Sequence, residues 1–360
     1  MPKIHYFNPD NDLALASGGE HYTPTPRAAR MRRDLRLLSA WLADEGEFVL
    51  AEDSADRQWL ERRVPHVKLI TPGQLRLIDQ ATYCPWGWSK ALKNRLIRLG
   101  ANADHLPNDE QIAEIRQLSH RRLTLRFHQL MTQLHGARYC QSPEELFTLV
   151  QARQFARKYP GCYFKQPWSG SGRGIYRTLD TSQDRLWQWV DGALRRQGTL
   201  MAEPNFDHLM DCATEWNCAN GKASFAGFSV FRTDRHSQFV STRVAPVEVL
   251  RNLIASRYPD IETVVKNQQH VLNQLVAPRY DGPLGVDMLL FLDRQNKVGI
   301  NPCIEVNLRY TMGHVALHLA ERGLRGDLSV IPIEKLTSAD VPLTPVTEST
   351  ELTVVVTQSN

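Results

Sequence analysis

Short apolar runs and helical spacings alternate through the first third of the chain. Runs at residues 4–7, 47–51 and 67–70 have the length and composition of strands. Between them, 28–42 and 55–62 carry apolar residues at helical spacing, Thr71-Pro72 opens another helix, and 90–99 is a further one, preceded by an aromatic turn at Pro85-Trp86-Gly87-Trp88. This alternation predicts a small parallel sheet with helices on its faces. Two helices are predicted between 107 and 140. In the second, Leu123, Phe127, Leu130, Met131 and Leu134 form one apolar face and Gly136 stops it. Arg121, Arg122 and Arg126 lie on or near its other face, either solvated or with one of them placed to reach a phosphate. Ser142-Pro143-Glu144-Glu145 has the chemistry of a helix start, with Leu146, Leu149 and Val150 as the buried face and 159–161 as the stop.

The pattern then switches to period two. Residues from Tyr163 to Lys165 alternate as a strand, Pro167 closes it, and Ser169, Gly170, Ser171, Gly172, Arg173 and Gly174 precede a second β-prone run from Ile175. Two strands joined by such a loop make a flap whose backbone N–H groups can face anionic oxygens, with Lys165 and Arg173 adding positive charge. A P-loop or a dinucleotide loop would lead into a helix, whereas Ile175-Tyr176 favours a strand. A protein kinase places its lysine after the loop and needs a later Asp-Phe-Gly, which this chain lacks. The competing reading is an ordinary tight hairpin with a surface lysine.

Further on, 184–196 reads as a helix and 199–202 as a strand ending at Glu203-Pro204. Runs 214–219 and 223–231 around Asn220-Gly221 read as a hairpin. Helices are predicted at 247–256 and 261–277, strands at 284–292 and 297–306, and a helix at 313–321. The segment from 336 reads as a tail rich in Thr, Ser and Pro, with a β-prone run at 352–356.

Three acidic or amide positions stand out late in the chain. Asp287 is a lone acid in the apolar run V-D-M-L-L-F, where charge persists only if paired or bound to a metal. Glu305 and Asn307 are two apart on a strand and share a face, which Arg309 continues. Two carboxylates and an amide oxygen are hard ligands suited to Mg²⁺, and Arg309 could neutralise a phosphoryl group. The alternative is a polar strand face with a Glu305–Arg309 ion pair. His314 and His318 have the spacing of a zinc pair, but Val315 stands where the H-E-x-x-H pattern requires Glu. Asn8, Asp10, Asn11 and Asp12 follow the first strand and are either substrate contacts at a sheet's carboxyl edge or an Asx-type turn capping a helix.

Composition narrows the classes. The chain has 360 residues, 42% hydrophobic and 23% charged, which predicts a globular protein of two or three domains and excludes a disordered one. A net charge of +4 suits an anionic small molecule as well as nucleic acid. The six cysteines form no C-x-x-C pair and several lie in apolar strand patterns, which reads as reduced thiols in a cytoplasmic protein. Neither a signal-peptide core nor a run of about 20 apolar residues is apparent, so no membrane association is expected.

The ordered set Lys165, glycine-rich loop, Glu203-Pro204, Asp287 and Glu305-x-Asn307-x-Arg309 resembles the ATP-grasp superfamily over about residues 119–322. The E-x-N-x-R form is similar to that of biotin carboxylase, and Asp287 matches the strand aspartate of D-alanine–D-alanine ligase. The resemblance implies an α/β plus α+β architecture: a Rossmann-like pre-ATP-grasp domain at 1–118, an ATP-grasp subdomain with the flap at 119–202, a second with the metal site at 203–335, and a tail at 336–360. It implies that Lys165 and the flap 169–174 hold the phosphates of ATP, that Met201, Ala202 and Glu203 face adenine, and that Glu215 holds the ribose. It further implies that Asp287, Glu305 and Asn307 carry Mg²⁺ or Mn²⁺, with Arg309 and Lys165 as the catalytic groups. The family's earlier phosphate-binding lysine has no obvious match, and Arg126 or Arg122 is the reading for that place. The implied reaction joins a small-molecule or peptide carboxylate to an amine through an acyl phosphate. Alternatives are an ATP-grasp kinase, a carboxylase or a non-catalytic nucleotide-binding module. No nucleic-acid partner is expected, and the oligomeric state is left open.

Overall fold

The computed structural model describes every residue except 54, 55, 79, 137, 138, 170–173, 180–182, 236, 359 and 360. It contains two compact units: Met1–Arg116 with Ser241–Val247 and Arg309–Asn360, and Gln117–Val240 with Glu248–Leu308.

In the first unit, strands β1 (Lys3–Tyr6), β2 (Phe48–Leu50), β3 (Lys68–Ile70) and β4 (Thr82–Pro85) form a parallel sheet in the order β3-β2-β1-β4. The helices are α1 (Asn11–Ser17), α2 (Pro26–Asp34), α3 (Asp56–Arg63), α4 (Pro72–Leu75), α5 (Lys90–Leu99) and α6 (Asp109–Leu118). Ile4, Leu50, Ile70, Leu92 and Leu96 are buried in one apolar cluster, and Leu38, Val49, Leu60 and Leu69 in another, as a two-faced parallel sheet requires. The sequence pattern misses β4. Its four residues are too short for alternation to register, and Pro85 is tolerated only because it ends a strand at the sheet's edge. The helix predicted over 28–42 stops at Asp34, whose buried carboxylate accepts from the N–H groups of Glu351 and Leu352 at 3.0 and 3.1 Å. The apolar stretch Leu38–Leu42 continues as a buried 3-10 turn.

In the second unit α7 (Leu123–His135) ends at Gly136 in the left-handed region (φ 75°), as its pattern predicts. A four-stranded antiparallel sheet follows, made of β5 (Glu144–Leu146), β6 (Tyr163–Lys165), β7 (Ile175–Arg177) and β8 (Leu200–Glu203) in the order β5-β8-β6-β7. Helices α8 (Leu149–Lys158) and α9 (Gln183–Gln197) bury Ala152, Phe155, Leu186, Val190 and Ala193 with Phe164 and Leu200 of the sheet.

The helix predicted to start at Ser142 is a correction. Glu144–Leu146 pairs with β8 as a strand, and the helix starts at Thr148. Thr148 Oγ1 accepts from Gln151 N at 3.2 Å, and Gln151 Oε1 accepts from Thr148 N at 3.1 Å. Two capping sequences lie six residues apart. Strand pairing occupies the residues after the first, and the second takes the helix. Val150 is accordingly exposed rather than buried.

The remaining strands are β9 (Asp207–Ala219), β10 (Lys222–Thr233), β11 (Phe239–Val244), β12 (Gly282–Leu292) and β13 (Val298–Asn307), with helices α10 (Val247–Ala255) and α11 (Ile261–Leu275) between β11 and β12. Strands β13-β12-β9-β10 lie side by side, all antiparallel. The predicted Asn220-Gly221 hairpin is present, both residues having positive φ (53° and 75°), the geometry a two-residue turn needs. On the reverse of the sheet, Thr214 Oγ1 donates to Gln268 Oε1 of α11 at 2.8 Å, and Gln268 Nε2 donates to Pro302 O at 2.7 Å.

The chain then returns to the first unit through α12 (Met312–Glu321), β14 (Gly326–Pro332), β15 (Asp340–Pro342) and β16 (Leu352–Thr357). The segment read as a tail from 336 is a folded part of this unit. β16 pairs with β14 and β15, Val354 and Val356 are buried, and β14 pairs with residues 241–244 of β11.

Candidate functional site

Register sets the polar face of the second unit. Asp287 lies directly opposite Glu305 on one side and Ala213 on the other, while Gly285 lies opposite both Asn307 and Glu215. Opposed residues share a face, so Glu215, Asp287, Glu305 and Asn307 project from one side of three adjacent strands. Ser229, opposite Ala213 on β10, joins them and donates to Glu215 Oε1 at 2.9 Å. Asn307 Nδ2 donates to Asp287 Oδ2 at 3.0 Å. A bulge after Asp287 shifts the register between these strands. Re-aiming a side chain at a ligand is a common use of a bulge.

The second sheet supplies the cations. Lys165, the last residue of β6, lies opposite Met201, and its Nζ donates to Glu203 Oε2 at 2.6 Å. Both side chains of this pair are more than nine-tenths buried. Strand β8 lies between β5 and β6, so Met201 and Ala202 have neighbours on both sides, while Glu203 is paired on the β6 side only. Met201 and Ala202 are fully buried.

Arg121, just before α7, is buried, unlike Arg122 and Arg126. Arg126 is exposed and donates to Gln129 Oε1, and Arg122 is exposed and pairs with Glu145 at 2.7 Å. Arg121 instead has a side chain only 3% exposed. Its Nη1 donates to Gln166 O at 2.6 Å and to Ser169 Oγ, and its Nη2 donates to Ser169 O at 3.1 Å and to Glu305 Oε1 at 2.8 Å. Its backbone N–H donates to Pro167 O at 3.0 Å. Its Nε is buried with no acceptor among the described residues. A buried donor left unpaired costs roughly 1–3 kcal/mol, which an incoming anion could relieve. The signal available in sequence was a run of two arginines at a helix start. Which of them turns inward depends on the helix phase and on the sheets beside it.

Of the flap residues, Ser169 and Gly174 are described, and Gly170, Ser171, Gly172 and Arg173 lie outside the described residues. Gly174 has φ 68°, and a Cβ there would lie 2.7 Å from Gln166 Oε1, so both conformation and space call for glycine.

The predicted residues at the chain's start and end belong to the first unit. Asn8 exchanges hydrogen bonds with Gly87, donating to its O at 2.8 Å and accepting from its N at 3.3 Å. Asn11, with its amide in the hydrogen-bonded orientation, donates to the carbonyls of Gly87 and Trp88. Asp10 pairs with Arg32. Asp12 holds Arg309 by two edges, Nε at 3.0 Å and Nη2 at 2.9 Å. The Asn8 to Asp12 cluster thus fastens its own unit together, although no capping side-chain bond is made at α1. His314 Nδ1 accepts from Thr311 N at 3.3 Å and completes a capping box, which engages one member of the suggested zinc pair.

Among the described residues no three His, Cys, Asp or Glu side chains are grouped to hold a metal. The positions expected from sequence to hold a metal are two carboxylates, Asp287 and Glu305, and the amide of Asn307. Their hard oxygens and their number fit Mg²⁺, which commonly takes one or two carboxylates and fills its other positions with water and phosphate oxygens. Five of the six cysteines are buried, Cys84 being the exception, and burial pushes the Cys162 thiol up to about 11 and the Cys218 thiol to about 12.

No protein-family model matches the sequence, and no curated protein sequence matches it either. Solved structures share its fold. N5-carboxyaminoimidazole synthetase from Staphylococcus aureus, complexed with ADP, matches with a TM-score of 0.51 and 14% identity over 100% of this chain and 93% of that one. The biotin carboxylase domain of 2-oxoglutarate carboxylase from Hydrogenobacter thermophilus, in complex with MgADP, ADP and bicarbonate, gives 0.51 and 11% over 99% and 86%. Biotin carboxylase from Campylobacter jejuni, in a β,γ-ATP complex, gives 0.50 and 11% over 98% and 86%. The chain shares the fold of these structures, in line with the α/β plus α+β architecture that the sequence resemblance implied. No helix among the described residues is long and apolar enough to cross a membrane.

Proposed function

We propose that this protein is an ATP- and Mg²⁺-dependent ligase that activates a carboxylate as an acyl phosphate and joins it to an amine or similar nucleophile. The observation that carries the reading is the register pair Asp287 and Glu305, with Asn307 beside them, in the same unit as two buried cations, Lys165 and Arg121. Charges of both signs gathered on these strands, partly paired with one another, support a site for a charged ligand.

In this reading Lys165 and Arg121 donate to phosphate oxygens, and Arg121 takes the place assigned from sequence to Arg126 or Arg122. Ser169 and Gly174 bound the loop that covers the phosphates. The segment Met201–Glu203, which ends where β8 loses one of its neighbours, faces adenine, and Glu215 holds the ribose. Asp287, Glu305 and Asn307 would hold Mg²⁺ or Mn²⁺, which neutralises phosphate charge when bound. Arg309, paired with Asp12, is kept as a proposed catalytic group. A carboxylate oxygen attacks the γ-phosphate, ADP leaves, and the amine then displaces phosphate. Such chemistry asks the protein for positioning and charge neutralisation, not for a side-chain nucleophile. We assign 119–202 and 203–335 as the two ATP-grasp subdomains, of which the second unit holds 119–240 and 248–308, and we place the protein in the cytoplasm.

The test is ADP release, with hydroxylamine trapping, against paired amino acids and short peptides. Bicarbonate is included as one arm, because the Hydrogenobacter domain was solved with it. A hydroxamate should form with one acid and be lost in Glu305→Gln. ADP binding without turnover across the panel would instead favour a non-catalytic nucleotide-binding module.

A further inference from the structure

Arg121 joins two parts of the second unit that the proposed reaction uses separately. One end of its guanidinium grips the chain just beyond Lys165, through Gln166 O, Ser169 Oγ and Ser169 O. The other end holds Glu305 Oε1 at 2.8 Å. The backbone adds Arg121 N to Pro167 O at 3.0 Å. A single buried planar cation is therefore shared between a metal-site carboxylate and the segment that continues the lysine strand. Arg122, the adjacent arginine, faces solvent and takes no part in this.

Resting on the metal reading above, we propose that Arg121 is a positioning residue that competes with the divalent cation for Glu305, and so couples metal binding to the placement of residues 166–169. The sign follows from charge. Without metal, the guanidinium neutralises Glu305 and holds the segment. A divalent cation on Asp287, Glu305 and Asn307 repels the guanidinium at short range in a poorly solvated site and draws Glu305 away from it. Metal alone therefore binds against Arg121 and loosens its hold on the segment. A nucleotide phosphate reverses this by giving the guanidinium an anion to bind, including at the Nε that lacks an acceptor among the described residues. Metal and nucleotide each bind better in the other's presence, and because the coupling is a free energy between two sites it must be reciprocal.

The probe is Mn²⁺ alone, titrated without nucleotide and followed by electron paramagnetic resonance, together with backbone hydrogen exchange over residues 163–169. Arg121→Met removes the competing charge and should bind Mn²⁺ more tightly, by about 5- to 150-fold, the usual range for coupled sites. Wild-type exchange over 163–169 should quicken with Mn²⁺ and slow again when ADP is added, while in Arg121→Met it should not respond to Mn²⁺. Arg121→Lys keeps the charge but not the fork. It should leave Mn²⁺ affinity within about threefold of wild type while exchange is already fast without metal. It also serves as the test if the methionine variant fails to fold. A residue with only a structural role would change exchange equally with and without metal. Equal or weaker Mn²⁺ binding in Arg121→Met, or wild-type exchange that ignores Mn²⁺, overturns the coupling while leaving the metal assignment standing. Failure of the wild-type protein to bind Mn²⁺ with or without ADP overturns both.

Discussion

Replacing Lys165 by Met separates its two roles. Its Nζ lies 2.6 Å from Glu203 Oε2, and the two side chains are 8% and 9% exposed. Removing one partner of a buried pair leaves the other charge uncompensated, at a cost of about 3–5 kcal/mol, whereas replacing both by apolar groups is often neutral or stabilising. Lys165→Met should therefore lower the unfolding free energy by about 3–5 kcal/mol in a urea titration, and Lys165→Met with Glu203→Leu should recover most of it. Nucleotide binding should behave differently. A charge-assisted hydrogen bond to phosphate contributes about 1.5–3 kcal/mol, or roughly 10- to 100-fold in affinity. That loss should persist in the double variant, because apolar repacking restores the core and not the donor. Calorimetric titration with ADP reads it directly. If the double variant regains both stability and ADP affinity, Lys165 is a structural ion-pair partner and not a phosphate ligand.

Two other outcomes follow from the first unit. A Cβ at Gly87 would collide with the Asn11 side-chain amide and lie 3.0 Å from Arg309 Cβ, so Gly87→Ala should destabilise the protein by about 1–3 kcal/mol by displacing the Asn11 and Arg309 side chains, measured as a lowered denaturation midpoint. His318 is held down to about 4, first by burial and then by the nearby Arg322 and His314 charges. Its folded value lies below its unfolded value of 6.5, so its contribution is fully present above about pH 6.5 and is lost as pH falls towards 4, a change of roughly 3 kcal/mol. His318→Gln should flatten the stability profile across that window, and an unchanged slope would mean that the ring is already solvated in the native state.

Local sequence chemistry determined the pieces. The two-residue period put Glu305 and Asn307 on one face before any fold was known, because a strand alternates its side chains. Asn220-Gly221 fixed its hairpin through the positive φ both residues tolerate, and the helical repeat of 123–135 with Gly136 after it fixed α7. What tertiary structure decided were choices between locally equivalent options. Thr148 rather than Ser142 caps α8, because Glu144–Leu146 finds a partner strand in β8. Arg121 rather than Arg126 is buried, because the end of α7 carries it to Ser169 and Glu305, which lie 48 and 184 residues away along the chain. Asp287 meets Glu305 only through the register of β12 on β13, and Asn8, Asn11 and Asp12 are engaged by Gly87, Trp88 and Arg309. Backbone preference acts over a few residues and is written into them. Which of several similar charges is removed from water depends on the groups that distant segments bring to meet it.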